Sequence, residues 1–318
     1  MKFLESTFEE YINSCKKDNL HSDINKLFEK YPENIDDINN MIIYGPSGSG
    51  KYTQSLSFIS RYSPSNLKYE KKICVVFNKQ NYYYKISDVH IEIDMSLLGC
   101  NAKLLWHDIF TNFLDVININ KSKTKIILCK NFHSINNELL EIFYSYMQQS
   151  MKYKLKYVII TEHISFIPDN IVTCSEIISI SKPSKSKYAK ISKNKNIEST
   201  EEINNIKGLI KKIPQISKYK KVADTILEDM YNIDNLKYTT FRDKIYNIFI
   251  YNIEIEDVIW YIVKDLINKE KIKENDVYEV IKKMYIFFKY YNNNYRPIYH
   301  VENILYYLLN KIYNLEVN

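Results

Sequence analysis

The sequence predicts an α/β protein in which a P-loop and a parallel-sheet core are followed by helical segments. Three of the five glycines fall within residues 45–50, directly behind the apolar run 41–43. Short β-rich runs alternate with segments of helical length as far as residue 180. Beyond that point the β-rich runs end and the apolar residues recur at helical spacing, which indicates a separate all-α region.

The core prediction depends on six short apolar runs rich in residues that favour strands. They are 41–44, 73–77, 90–93, 125–129, 157–161 and 176–180. Strands of this length, separated by helix-length connections, imply βαβ crossovers and a parallel sheet. A polar stretch of helical pattern, residues 8–31, precedes the first of them. We therefore expect residues 1–180 to form the core together with an N-terminal helical arm.

The second half of the chain has the pattern of a linker and then of packed helices. Residues 181–199 are rich in Ser, Lys and Asn, which is typical of a linker or a mobile surface segment. Apolar stripes of helical period follow within 245–252, 258–266 and 277–288, and a last helix is expected behind Pro297. We expect 181–237 to be a connecting region and 238–318 to be a helical bundle, whose many tyrosines serve mainly for packing.

Charge and composition set limits on partners and compartment. The 318-residue chain has a formal net charge of +6, with 44 basic and 38 acidic residues, which permits a nucleic-acid-facing surface without requiring one. The lysines between 182 and 221 fit either a solvated linker or phosphate contacts. Five scattered cysteines, no apolar N-terminal leader and no long uncharged apolar stretch predict a soluble protein of a reducing intracellular compartment, without a membrane partner.

The glycine loop is the most specific motif of the chain. A strand, a glycine-rich loop and a lysine that opens a helix form a cradle for phosphate, because backbone N–H groups and the helix N-terminus face the anion. The residue after Lys51 is Tyr52, where a P-loop normally has a Ser or Thr hydroxyl for Mg²⁺. We expect ATP or ADP to bind here, with Mg²⁺ in doubt, through Gly45, Ser47, Gly48, Ser49, Gly50, Lys51, Tyr52 and Thr53.

Hydrolysis requires a carboxylate near the metal at the end of a neighbouring strand. The run 125–129 is instead followed by Lys130 and Asn131, and the next carboxylate is Glu138. His133 has no carboxylate beside it in sequence to orient it as a base, so we interpret it as structural. The sequence therefore predicts weak or absent ATPase activity and no confident catalytic or metal-binding residue.

With these motifs in this order, the chain resembles the replication factor C small subunits, the AAA+ clamp-loader ATPases, and in particular a member whose own ATP site is degenerate. Residues 44–51 resemble the family's phosphate loop, and Lys130 and Asn131 occupy its acidic Walker B positions. The run 157–161 resembles the sensor strand, with Thr161 at the sensor position. Residues 167–174 resemble the segment that ends in Ser-Arg-Cys, with Thr173 at the arginine-finger position.

The resemblance implies a function, partners and a location that the residues alone do not. It implies a reduced lid within 181–237 and a collar domain at 238–318 that joins the subunits of a hetero-oligomeric ring. The implied partners are other clamp-loader subunits, a sliding clamp, and primer-template DNA held through its phosphates. The implied location is a site of DNA replication in the nucleus or cytoplasm, and the abundance of Lys, Asn, Ile and Tyr fits an AT-rich genome such as that of a large DNA virus.

Two other interpretations stay open. An independently active P-loop NTPase or nucleotide kinase could take its metal carboxylate from elsewhere, for instance from Asp94 behind the run 90–93. A scaffold that keeps the fold and has lost the nucleotide is the third. These alternatives differ in turnover, in nucleotide binding and in the presence of partner subunits.

Overall fold

The computed structural model of the protein describes residues 7–77, 80–119, 124–150, 153–192, 203, 218–251, 253–291 and 296–313. The chain divides into two compact units, Met1–Pro214 and Gln215–Asn318. Within the described ranges, no helix is long and apolar enough to cross a membrane.

The first unit contains seven strands and seven α-helices among its described residues. The strands are β1 Asn40–Tyr44, β2 Lys71–Phe77, β3 Gln80–Ile86, β4 His90–Asp94, β5 Lys125–Lys130, β6 Leu155–Thr161 and β7 Ser175–Ser179. The helices are α1 Phe8–Lys17, α2 Ser22–Glu29, α3 Lys51–Ser60, α4 Ala102–Ile119, α5 Asn137–Ser150, α6 Asp169–Thr173 and α7 Lys185–Ser192.

The strands form one mixed sheet in the order β2-β3-β4-β5-β6-β1-β7. The five strands from β4 to β7 in this order pair in parallel, as the sequence predicts. The predicted parallel pairing does not extend to the run 73–77, because β2, β3 and β4 pair antiparallel at the other end of the sheet. Strand β3 was not predicted, because its centre is three consecutive tyrosines and tyrosine is common throughout this chain.

Alternation along the central strands separates two apolar layers. Ile42, Ile127 and Ile159 point into a core formed with α4 and α5. Their neighbours Met41, Leu128 and Val158 belong to a core on the opposite face, which includes residues of α1, α2 and α3. The result is a three-layer α/β/α unit, and the predicted α/β fold class is confirmed.

The N-terminal arm is a defined part of this unit. Helix α1 begins with a capping box, in which Thr7 Oγ1 accepts from the Glu10 N–H at 3.3 Å and Glu10 Oε2 accepts from the Thr7 N–H at 3.4 Å. Phe8 and Ile12, four residues apart, are both buried against the core on the α3 side of the sheet. This packing fixes the arm beside the helix that follows the glycine loop.

The second unit is helical throughout its described part. Its helices are α8 Lys218–Tyr231, α9 Tyr238–Ile250, α10 Ile255–Asn268, α11 Glu274–Tyr291 and α12 Pro297–Tyr313. The stripe predicted for 258–266 supplies the buried face of α10, with Ile259, Ile262 and Leu266 fully buried. Arg242 of α9 pairs with the buried carboxylate of Glu302 of α12, with Nε and Oε1 2.7 Å apart.

The predicted connecting region, 181–237, shares elements with both units. Helix α7 lies within the first unit, and α8 lies within the second. Residues 193–202 and 204–217 lie outside the described residues. The proposed boundaries of a lid and a collar therefore stay predictions.

Candidate functional site

The glycine loop joins β1 to α3 at the carboxyl edge of the parallel strands, where ligands bind in open α/β sheets. Gly48 and Gly50 have φ values of 70° and 90°, and Gly50 is the N-cap of α3. A Cβ atom on Gly45 would lie 2.0 Å from the carbonyl oxygen of Ile180. The loop thus needs glycine for a close backbone approach at one end and for left-handed backbone at the other.

Lys51, the first residue of α3, lies over the loop it follows. Its side chain is largely buried, and Nζ donates to the carbonyl oxygens of Gly45 at 2.6 Å and Pro46 at 2.8 Å. Burial lowers the pKa of Lys51, while the carboxylate of Glu162, 3.8 Å from Nζ, opposes that shift. The ammonium is therefore held against the first residues of the glycine loop, close to the N-terminus of α3.

A cavity of about 750 Å³ opens beside this loop. Its walls come from the N-terminal arm, from the loop and α3, from the ends of β5 and β6, and from the segment around α7. Its volume is within the range of small-molecule sites. Leu20, Tyr188 and Ile203 form a small apolar cluster in its wall, so the predicted linker contributes a buried tyrosine to the site.

The arm closes one side of the cavity through specific contacts. His21 Nε2 lies 2.7 Å from the carbonyl oxygen of Ser49, and Gln54 Nε2 donates to Asn19 Oδ1 at 3.2 Å. Burial lowers the pKa of His21, so the ring is neutral at pH 7 and its Nε2–H is the donor. Sequence reasoning missed these residues, because no local motif links the arm to the loop 28 positions further on.

Tyr52 occupies the position where a metal-binding hydroxyl is expected. Its Oη donates to Glu92 Oε2 at 2.6 Å, and its ring packs edge-on against Tyr11 with 4.9 Å between centroids. Burial is the main cause of a raised pKa of Tyr52, and the Glu92 carboxylate adds to it. The phenol is therefore neutral, and its hydroxyl is directed at Glu92 of β4.

Lys130 completes this cluster at the end of β5. Its Nζ lies 3.4 Å from Glu92 Oε1 and 4.2 Å from the centroid of the Tyr52 ring. Glu92 is buried in the middle of β4 and shares its two oxygens between the ammonium and the phenol. The one sequence signal for Glu92 was a carboxylate between two isoleucines of a short strand.

Asn131 and Asp94 form a separate pair beside the cluster. Asn131 Nδ2 lies 3.0 and 3.1 Å from the two carboxylate oxygens of Asp94, and Asn131 has a positive φ of 49°. Asp94 Oδ1 also accepts from the N–H and hydroxyl of Ser96, at 3.1 and 2.6 Å. The carboxylate that the rival interpretation needs thus shapes the turn behind β4.

Two adjacent residues at the end of β6 face opposite sides of the sheet. Thr161 is fully buried, and its Oγ1 donates to the carbonyl oxygen of His163 at 2.8 Å. Glu162 follows the alternation of Val158 and Ile160 and lines the cavity beside Lys51. The sensor role of Thr161 stays a prediction, and Glu162 is an additional site residue.

The other predicted positions lie elsewhere. Thr173 is exposed at the end of α6, where its Oγ1 donates to the carbonyl oxygen of Asn170 at 3.3 Å. His133 is half-buried, and burial is the first cause of its lowered pKa, with Glu162 opposing and Lys51 reinforcing the shift. Neither residue is among those that line the cavity.

The residues present fit a phosphate anion but not a divalent cation. The cradle has left-handed glycines, a helix N-terminus, the Lys51 ammonium and the buried hydroxyl of Ser49, which has no hydrogen-bond partner in the structure. At the two positions expected to hold the metal stand a phenol and an ammonium. Within the described part of the chain, no group of three or more His, Cys, Asp or Glu side chains could hold a metal ion.

Fold and site together define a P-loop α/β protein with a helical second unit. No protein-family model matches the chain, and no curated protein matches it. It is similar to the structure of C. elegans PCH-2 at 12% identity and a TM-score of 0.36, over 70% of this chain and 58% of that one.

A second similar structure is the replication initiator DnaA bound to AMPPCP and single-stranded DNA. The identity is 13% and the TM-score 0.41, over 89% of this chain and 98% of that one. Both likenesses are too distant to assign an activity, ligand or partner to this chain.

Proposed function

We propose that the chain binds ATP or ADP in the cavity beside Lys51 as a ligand that stabilises the protein. The left-handed glycines and the N-terminus of α3 direct backbone N–H groups toward the phosphates, and Lys51 supplies a positive charge. The orphaned hydroxyl of Ser49 adds a buried polar group at the same place. A ligand that binds only the folded chain raises its stability by mass action, whether or not it is cleaved.

We propose that ATP hydrolysis by this chain is weak or absent, and one observation supports this. The ammonium of Lys130 pairs with Glu92 at the end of β5, where an active site would present a carboxylate to a metal-bound water. Tyr52 takes up the other oxygen of Glu92. The chain therefore lacks, at these two positions, the groups that would activate a nucleophile.

We further propose that the chain is a subunit of a AAA+ clamp loader of the replication factor C type. The support is the order and spacing of its sequence pieces at 44–51, 127–135, 157–161 and 167–174. In this role the helical unit joins neighbouring subunits, and lysines follow the phosphates of primer-template DNA while the complex opens a sliding clamp. The place of action is a replication site in the nucleus or cytoplasm.

Turnover and stability measurements test this proposal together. We expect ATP and ADP to raise the melting temperature of the purified chain, with no turnover above background in the presence of primer-template DNA. Lys51→Met should abolish the thermal shift. Robust turnover that Lys51→Met removes would overturn the non-catalytic assignment, and no shift with either nucleotide would favour the scaffold interpretation.

The clamp-loader role needs its own experiment, because nucleotide binding does not distinguish it. The tagged chain should co-purify from its native source with other AAA+ subunits and should promote loading of a ring-shaped clamp with them. The alternative is an independent NTPase or nucleotide kinase that uses Asp94. A monomer that phosphorylates nucleotides, with activity lost in Asp94→Asn, would establish that alternative.

A further inference from the structure

Tyr52 and Lys130 stand at the two positions where a P-loop site would hold its divalent cation, and both contact the buried carboxylate of Glu92. Glu92 Oε2 accepts from the Tyr52 hydroxyl at 2.6 Å, and Oε1 lies 3.4 Å from Lys130 Nζ. Both oxygens of Glu92 are therefore engaged. Tyr52 and Lys130 also line the cavity that contains Lys51, so the cluster borders the phosphate cradle.

The charges of the Glu92 cluster disfavour a metal ion, because the ammonium of Lys130 already lies where the metal would bind. Lys130 has a quarter of its side chain exposed, so its charge is accessible from the cavity. The carboxylate of Glu92 is satisfied by one ammonium and one phenol, and a cation there would have to displace Lys130. Three further carboxylates line the cavity, those of Glu10, Asp18 and Glu162. The carboxylate of Glu162 lies 3.8 Å from Lys51 Nζ.

We propose that this site takes a nucleoside polyphosphate without a divalent cation, and that Lys130 supplies the positive charge a metal ion would otherwise bring. This inference rests on the proposed nucleotide binding and specifies the chemical form of the ligand. Glu92 and Tyr52 act as positioning residues, because they hold the ammonium at the edge of the cradle through a salt bridge and a cation–π contact.

The consequence is an unusual dependence on magnesium. In excess Mg²⁺ most free ATP carries the metal, so a protein that selects the metal-free form sees only a small fraction of the ligand. Its apparent affinity falls in proportion to that fraction. Binding in excess EDTA should therefore be stronger than binding in excess Mg²⁺, the reverse of a P-loop that coordinates magnesium.

Equilibrium titration of the full chain with ATP and with ADP, in excess Mg²⁺ or in excess EDTA, measures this directly. Lys130→Gln should weaken binding in EDTA by about tenfold, the effect of losing one charge-assisted contact, whereas Lys130→Arg should keep most of it. Lys103→Gln is the matched control, since this exposed lysine lies on α4 at the opposite face of the sheet. It should bind like the wild type.

A second readout follows the metal itself. Mn²⁺ bound to ATP gives little free-ion signal in electron paramagnetic resonance. Addition of the wild-type chain should release Mn²⁺ and raise the free-ion signal as metal-free ATP is captured. The signal should stay unchanged when Lys51→Met is added.

The outcomes separate the two proposals. Binding in EDTA that is no stronger than binding in excess Mg²⁺, or a protein-bound Mn²⁺ spectrum, would overturn metal-free binding while leaving nucleotide binding intact. Equal binding by Lys130→Gln and the wild type would also overturn it. No binding in either buffer would refute both this inference and the proposed nucleotide site.

Discussion

The hydroxyl of Tyr52 donates a 2.6 Å hydrogen bond to the buried carboxylate of Glu92. One residue stands at the start of the helix behind the glycine loop, and the other lies in the middle of a strand 40 positions later. The contact directs the hydroxyl of the residue after Lys51 toward β4, at the border of the cavity. The residue at the position where a P-loop normally binds its metal is therefore hydrogen-bonded to a buried carboxylate of the protein itself.

Removing that hydroxyl should destabilise the fold. Tyr52→Phe leaves one oxygen of Glu92 buried without its donor, which should lower the free energy of unfolding by about 1.5–3 kcal/mol. Urea denaturation measures the change. Tyr62→Phe is the control, because the Tyr62 hydroxyl donates to the Pro32 carbonyl oxygen in an exposed contact, and it should cost less than about 1 kcal/mol. Equal losses in the two variants would contradict the role given to Glu92.

Replacing Gly45 should disrupt both the stability of the protein and its response to ATP. In Gly45→Ala the new methyl group would meet the backbone carbonyl of Ile180 at 2.0 Å, so the loop must shift. We expect a lower melting temperature and loss of the ATP-induced thermal shift.

Gly99→Ala provides the matched control for Gly45→Ala. Gly99 also has a positive φ, 62°, but a Cβ there meets nothing within 4 Å. Gly99→Ala should lower the free energy of unfolding by about 1–2 kcal/mol, the strain of placing alanine in left-handed backbone, and should keep the ATP-induced thermal shift. An ATP response that survives in Gly45→Ala would show that the close approach to Ile180 does not shape the cradle.

The buried histidine of β4 should make the protein sensitive to acid. His90 is fully buried, and burial lowers its pKa from 6.5 to about 3. Below pH 6.5 the unfolded chain binds a proton that the folded chain does not, so stability falls as the pH drops toward 3. The slope from this residue approaches about 1.4 kcal/mol per pH unit.

Urea denaturation across this pH range, compared between the wild type and His90→Asn, isolates the effect of His90. The carboxylates titrate in both proteins, so their contribution largely cancels in the comparison. We expect the variant to be less stable at neutral pH, because contacts with Ser87 and Phe8 are lost, but to have a shallower slope in acid. Parallel slopes would place the acid sensitivity elsewhere.

The ion pair of the helical unit should show strong coupling. Glu302 is buried, and Arg242 reaches it through Nε at 2.7 Å and through a second nitrogen at 3.1 Å. Arg242→Met leaves a buried carboxylate without its partner and should lower the melting temperature more than the double variant Arg242→Met/Glu302→Met does. Additive effects of the two single substitutions in a thermal-unfolding cycle would show that the pair contributes no coupling.

Much of the core could be predicted from local sequence. Strands β1, β4, β5, β6 and β7 are short apolar runs between helical segments, and such runs form parallel strands because the helices must cross over the sheet. The glycine loop was equally visible, since Gly48 and Gly50 have backbone angles that other residues rarely adopt. Strand β3 was not, because its tyrosines carry no distinct signal in a tyrosine-rich chain.

The sequence by itself determined the α/β core, the phosphate loop and the absence of an acidic pair directly after β5, because each is a property of neighbouring residues. Only the tertiary structure decided that Glu92 joins Tyr52 to Lys130, that Glu162 lies beside Lys51, and that His21 closes one side of the cavity. These relationships depend on strand order, on which face each side chain takes and on where the arm packs. Contacts between distant segments are set by folding the whole sheet, and no local pattern encodes them.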